Sequence, residues 1–199
     1  TLLQRYQFWY AIERAFDQAG PYAELELRQL GLTGEELPNY QRLLSSLLYP
    51  HRALRPASDR LAANLRGQPG LWKFGISGDY PIVLVSIEEM DDLQLVQELV
   101  GAHAYWRARQ FKADLVILNE QGTSYGEDLN ARLFRIITAQ KSEAFLHQNG
   151  GIFPIYADQM DEKERTLLFT AARAVLEGRK GELGHQLHAL EIRPPRLPA

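Results

Sequence analysis

Three short apolar runs, each followed by a stretch of helical periodicity, constrain the fold more than any other feature of this chain. They are residues 81–87 (PIVLVSI), 114–118 (DLVIL) and 151–156 (GIFPIY). PIVLVSI is apolar almost without interruption, the pattern of a strand buried on both faces and therefore central in a parallel sheet. Pro154 in the third run has no amide to donate, which sends that strand to an edge. After the first run, Asp91 or Asp92 caps a helix reaching to about Gln110, with Leu93, Val96, Val100, His103 and Arg107 on one side. Ser124 and Glu127 have the spacing of a capping box before a helix that turns Leu129, Leu133, Ile136 and Ile137 inward. Asp161 and Glu164 repeat that spacing before a helix expected to run to Glu177 and stop at Gly178. Three β-α units in succession predict an α/β fold over residues 70–182. Its sheet is small, three-stranded and parallel, Rossmann- or flavodoxin-like, with flanking helices and right-handed crossovers.

Residues 1–69 predict a helical segment ahead of that sheet. Leu2, Tyr6, Trp9, Ile12 and Phe16 form an apolar stripe, and Gly20-Pro21 is expected to end the helix that carries it. Further helices are expected over about 22–30, 38–48 and 57–66. Arg52, Arg55, Arg60 and Arg66 read as a solvated face, because Asp59 interrupts them and no aromatic residues interleave. Residues 183–199 end in EIRPPRLPA and read as a tail or linker. With Thr1 at the front, the chain reads as a piece of a longer polypeptide.

The formal charge of -3 offers no general attraction to nucleic acid or to an anionic membrane surface. No apolar run approaches the roughly 20 residues of a spanning helix, so direct membrane insertion is not expected. Without cysteine there is neither a disulfide nor thiolate chemistry.

The stretch GLWKFGISGDYPIVLV raises the question of a phosphate loop. A dinucleotide or P-loop site needs its glycines after a strand and at the start of a helix, whereas GISGD precedes its strand. Gly75 and Gly78 are therefore expected to permit a tight turn, Ser77 to lie within it, and Asp79 to bond nearby backbone amides. The carboxyl ends of the strands carry an acidic rim that could hold sugar hydroxyls or a divalent cation. Its candidate ligand-binding residues are Glu88, Asn119, Glu120 and Asp158. Helix capping is the competing account of the rim's other acids, Asp91, Asp92 and Asp161. The five histidines lack metal-ligand spacing, His103 reads as a core residue, and no G-x-S-x-G elbow occurs. Trp72, Tyr105 and Trp106 read as core more than as sugar platforms. No catalytic, metal or cofactor residue is nominated.

The stretch GLWKFGISGDYPIVLV, together with LVQELVGAHAYWRARQFKADLVILNE and the upstream QRLLSSLLYPHRALRP, resembles a segment inside the large bacterial cyclic β-1,2-glucan synthases. Those enzymes pair a membrane-embedded glycosyltransferase with a region like cellobiose phosphorylases. The resemblance implies a soluble part on the cytoplasmic side of an inner-membrane enzyme. It also implies partners in neighbouring domains of the same polypeptide and in β-glucan, and no cofactor. None of the family's catalytic residues maps onto this chain. The expected function is thus a non-catalytic interdomain module that supports glucan synthesis and chain-length control. The alternatives are a small sugar- or metal-binding unit on the acidic rim and an adaptor using the N-terminal helices.

Overall fold

The computed structural model describes residues 8–121, 127–188 and 190. The capping box at Ser124, the stripe residues Leu2 and Tyr6, and the EIRPPRLPA tail lie outside the described residues or side chains. The helical segment comprises α1 (Trp9–Leu30), α2 (Leu37–Leu48) and α3 (Ser58–Ala63). The α/β part runs β1 (Ile82–Ile87), α4 (Leu93–Ala108), β2 (Asp114–Asn119), α5 (Glu127–Ala139), β3 (Ile152–Tyr156), α6 (Glu162–Ala171), β4 (Ala174–Glu177) and α7 (Leu183–His188).

All strand pairs are parallel, in the order β3-β2-β1-β4. PIVLVSI is central and the Pro154 strand is at an edge, as its missing amide requires. Val83, Val85, Leu115, Ile117 and Ile155 are all buried. The sheet nevertheless has four strands, one more than the sequence pattern predicts. The helix expected to reach Glu177 stops at Ala171, and Ala174–Glu177 pairs with β1. AVLE has ordinary helix propensity. The open edge of β1 supplies hydrogen bonds and a place to bury Ala174 and Leu176, and that outweighs local preference.

This order matches the first four strands of a Rossmann sheet, so the order of strand addition reverses at β1, with β2 and β3 to one side and β4 to the other. In consequence α4 and α5 pack against one face and α6 packs against the other. On the first face, Val83, Val85, Leu115 and Ile117 meet α4 and α5. Leu27, Tyr40, Leu43 and Leu54 of the N-terminal segment and Leu183 and Leu187 of α7 join the same cluster. On the second face, Leu84, Val116 and Leu118 meet Leu167 and Leu168 of α6. Helix α4 is buried nearly all round, which explains why its apolar residues spill beyond one stripe.

Two expectations for the helical segment fail, the stop at Gly20-Pro21 and the merely solvated arginine face. Helix α1 runs unbroken through Pro21 although proline removes an amide, because this stretch is exposed and the freed carbonyl can face water. Its apolar stripe lies outside the core: Trp9 and Phe16 are 72% and 75% exposed. The arginines are also not simply a solvated face. Arg55 donates to the carbonyls of Thr170, at 3.0 Å, and Ala172, where α6 exposes its negative end. Arg66 pairs with Asp161 at 3.0 Å, and Arg60 lies 4.4 Å over the Phe169 ring. These cations tie the helical segment to α6.

Candidate functional site

A cleft of about 200 Å³ opens at the carboxyl ends of β1 and β4, where the strand order reverses. Open α/β sheets gather ligands at this place. Each strand delivers its first post-strand residues there: Glu88 after β1, Glu120 after β2, and Gly178 and Arg179 after Glu177 closes β4. Helix α6 adds Arg165 and Phe169, and α3 adds Arg60.

The charges in this cleft are largely spent on one another. Glu120 takes two hydrogen bonds from Arg165, both at 2.6 Å, in a fork-to-fork pair that holds the guanidinium above its ordinary pKa. Burial acts to raise the carboxyl of Glu177, but bonds from Lys180 and Arg179, each at 2.7 Å, hold it below its usual range. Asp92 turns its carboxylate back onto the loop and accepts the amides of Glu88 at 2.6 Å and Glu89 at 3.0 Å. It is not the simple cap of α4 that the sequence suggested. A phosphate in a dinucleotide-binding fold would use loop amides of this kind, and here a built-in carboxylate already holds them. Gly178 packs so tightly on Asp92 that a Cβ there would overlap its carboxyl group.

Of the four rim residues nominated from sequence, the cleft brings together Glu88 and Glu120. Asn119 is buried at the end of β2, donating to Asn130 Oδ1 at 3.0 Å and accepting the Gln121 amide at 2.9 Å. Asp158 lies in the turn Ala157–Gln159 after edge strand β3 and does not line the cleft. Sequence reasoning missed Arg60, Arg165, Phe169, Glu177 and Arg179. The signal for Glu177 and Arg179 was hidden with β4, and that for Arg165 and Phe169 lay on a helix whose packing face was unknown. Among the described residues no set of three His, Asp or Glu side chains converges as a metal ion would need. Asp161 does form the predicted capping box with Glu164.

The GISGD loop lies at the opposite, amino end of the sheet. Gly75 and Gly78 both adopt left-handed backbone, φ 76° and 78°, as a tight turn demands. The Ser77 carbonyl accepts Gln68 Nε2 at 2.7 Å and Trp72 Nε1 at 3.3 Å, and the Ser77 hydroxyl accepts the Asp79 amide at 3.2 Å. Asp79 Oδ1 accepts the side-chain amide of Gln68 at 3.2 Å. The expected bonds to backbone amides are therefore replaced by one to a neighbouring side chain. Trp106 and Tyr105 are buried, while Trp72 stands 62% exposed. His103 is a core residue, with Nε2 3.0 Å from both the Ala113 and Gly150 carbonyls.

No described helix is long and apolar enough to cross a membrane. No family model matches the chain. At 30% identity over 186 residues, 93% of this chain, the molecule is related to a segment of the cyclic beta-(1,2)-glucan synthase NdvB of Rhizobium meliloti (strain 1021), spanning 7% of that protein's length.

Proposed function

We propose that this chain is a non-catalytic α/β module of a cyclic β-glucan synthase, supporting glucan synthesis and chain-length control by orienting neighbouring domains of the same polypeptide. The observation that carries the reading is the charge network at the strand ends, which engages every carboxylate lining the cleft except the exposed Glu88. A general acid or base must be free to exchange its proton with a substrate. Glu120, Glu177 and Asp92 instead serve Arg165, Arg179 with Lys180, and the loop amides. The exposed aromatic residues of α1, with Trp9, Tyr10, Phe16 and Tyr22 in the first four turns, suit an interdomain contact.

The test belongs in a full-length synthase carrying this segment. Glu88→Gln and Glu120→Gln are expected to leave glucan synthesis intact. A paired Trp9→Ser and Phe16→Ser change is expected to shift the product length distribution. Loss of synthesis in Glu88→Gln or Glu120→Gln, with normal expression and an unchanged unfolding midpoint, would instead establish the rim as a working site.

A further inference from the structure

The motif that marks this sequence lines a second, larger cleft that the proposed function leaves unused. It measures about 590 Å³ and lies at the amino end of β1, between α2, the Gln68–Phe74 turn and the end of α6. That volume is within the range of roughly 300–1,000 Å³ typical of small-molecule sites. Its floor is apolar, with Leu71, Phe111 and Leu167. Its polar wall is built from Gln68, Asp79, Tyr80, Thr170 and Arg173.

Unlike those at the strand ends, several of these groups remain available. Asp79 uses Oδ1 for Gln68 and has no bond to Oδ2 among the described residues. Arg173 is exposed and forms no ion pair among them. Thr170 Oγ1 is shut off from solvent without a partner, a cost that a ligand hydroxyl reached by a χ1 rotation would remove. Arg66, at the rim of the same cleft, is already committed to Asp161 and Glu164. What remains is one carboxylate, one guanidinium and the hydroxyls of Tyr80 and Thr170.

That balance selects the ligand. A phosphate or nucleotide would call for several cations or a row of free amides. A divalent cation would call for several carboxylates. Vicinal sugar hydroxyls both donate and accept, and a cleft that offers one carboxylate and one guanidinium satisfies both senses without favouring an ion. Trp72, held to the Ser77 carbonyl and largely exposed, lies outside the lining of this cleft. We infer that the cleft beside the GISGD loop binds a short stretch of neutral β-glucan. The choice of glucan among polyols rests on the function proposed above.

The test is titration of the whole ¹⁵N-labelled chain with β-1,2-linked glucooligosaccharides, with α-1,4-linked oligosaccharides, inorganic phosphate and UDP as comparisons. Amide shifts are expected at Gln68, Ser77, Asp79, Tyr80 and Arg173. Asp79→Asn and Arg173→Gln are each expected to weaken binding about tenfold, the loss of one charge-assisted hydrogen bond. Arg173→Gln changes an exposed side chain and leaves the fold intact, so its result stands even if an Asp79 variant unfolds. The inference is overturned by silence toward every sugar at millimolar concentration. It is equally overturned by shifts confined to Glu88 and Glu120, by a stronger response to phosphate, or by wild-type affinity in Arg173→Gln. Silence here, with product lengths still shifted by the α1 variant in the synthase, would remove this site and keep the module reading.

Discussion

The two ends of the sheet solve the same problem in opposite ways. Both present loops, polar groups and a concavity, and both are closed by α6. At the carboxyl end the concavity is filled by ion pairs: Arg165 with Glu120, and Arg179 and Lys180 with Glu177, around the inward-turned Asp92. At the amino end the frame is backbone and packing. Two left-handed glycines set the loop, and Gln68 stitches it together. Beneath it lie two buried titratable groups, Asp114 and His103, whose pKa values burial shifts toward the neutral form of each. The carboxyl end spends its charge on structure, while the amino end leaves charge to spare. Position at the reversal of a parallel sheet thus does not by itself make a working site.

The strongest way to break this comparison is at Asp92. Asp92→Ala strands two loop amides in a part-buried corner, and a loss of about 3 kcal/mol is expected by chemical denaturation. A loss below 1 kcal/mol, roughly one weak hydrogen bond, would mean that water replaces the carboxylate easily and that the corner is open to anions after all.

The amino end is sharpened by pH. Burial pushes the Asp114 carboxyl up to about 6 from an ordinary 3.8, against bonds from the Gly150 and Gly151 amides. Burial, aided by Arg107, lowers His103 from 6.5 to about 4. Between pH 4 and 6 the folded state keeps a proton on Asp114 that the unfolded chain has lost, so this group makes stability fall as pH rises. Over the same window the unfolded chain protonates His103 and the folded state does not, so that group makes stability rise with pH. The two are joined through Gly150, whose amide binds Asp114 at 2.7 Å and whose carbonyl meets His103. Their opposition predicts a nearly flat profile in the native protein. In Asp114→Asn the histidine acts alone, and stability is expected to climb by about 2–3 kcal/mol from pH 4 to 6.5. A flat profile in the variant would show that the pair does not behave this way.

Smaller effects test each loop separately. Gly78→Ala places a Cβ 2.8 Å from Gln68 Cγ in left-handed backbone, and about 1–2 kcal/mol is expected. Glu120→Gln leaves Arg165 half-buried with a weaker partner, at about 1 kcal/mol. Asp79→Ala removes one exposed 3.2 Å bond, so less than about 1 kcal/mol is expected from thermal or chemical unfolding. Its negative charge also raises Asp114, so the Asp114 titration should move down in that variant. If Asp79→Ala cost more than Glu120→Gln, the contrast between the two ends would be reversed.

Much of the architecture was legible because its signals are local. A strand buried on both faces has little choice but to be continuously apolar, and Val83, Leu84, Val85, Leu115, Val116 and Ile117 obey that rule. Pro154 announces an edge through its missing amide, and Asp161 with Glu164 announces a helix start through the amides they cap. Gly75 and Gly78 were readable as turn formers for the same reason. The order of units then pointed to the strand ends, which located Glu88 and Glu120.

What only the tertiary structure decided depends on partners distant in sequence. Residues 174–177 form a strand because β1 has a free edge, and no property of AVLE itself announces it. Arg55 and Arg66 are clamps because α6 lies beside them, more than 90 positions away. Glu120 is an ion-pair partner because α6 crosses the far face of the sheet and carries Arg165 to it. Asn119 points instead into its own neighbourhood, at Asn130. Local steric and hydrogen-bond preferences are written residue by residue, so the sequence alone determined the strands, the caps and the turn at GISGD. Burial and charge pairing are set by whatever packs opposite, so only the folded chain decided which end of the sheet is sealed and which is left open.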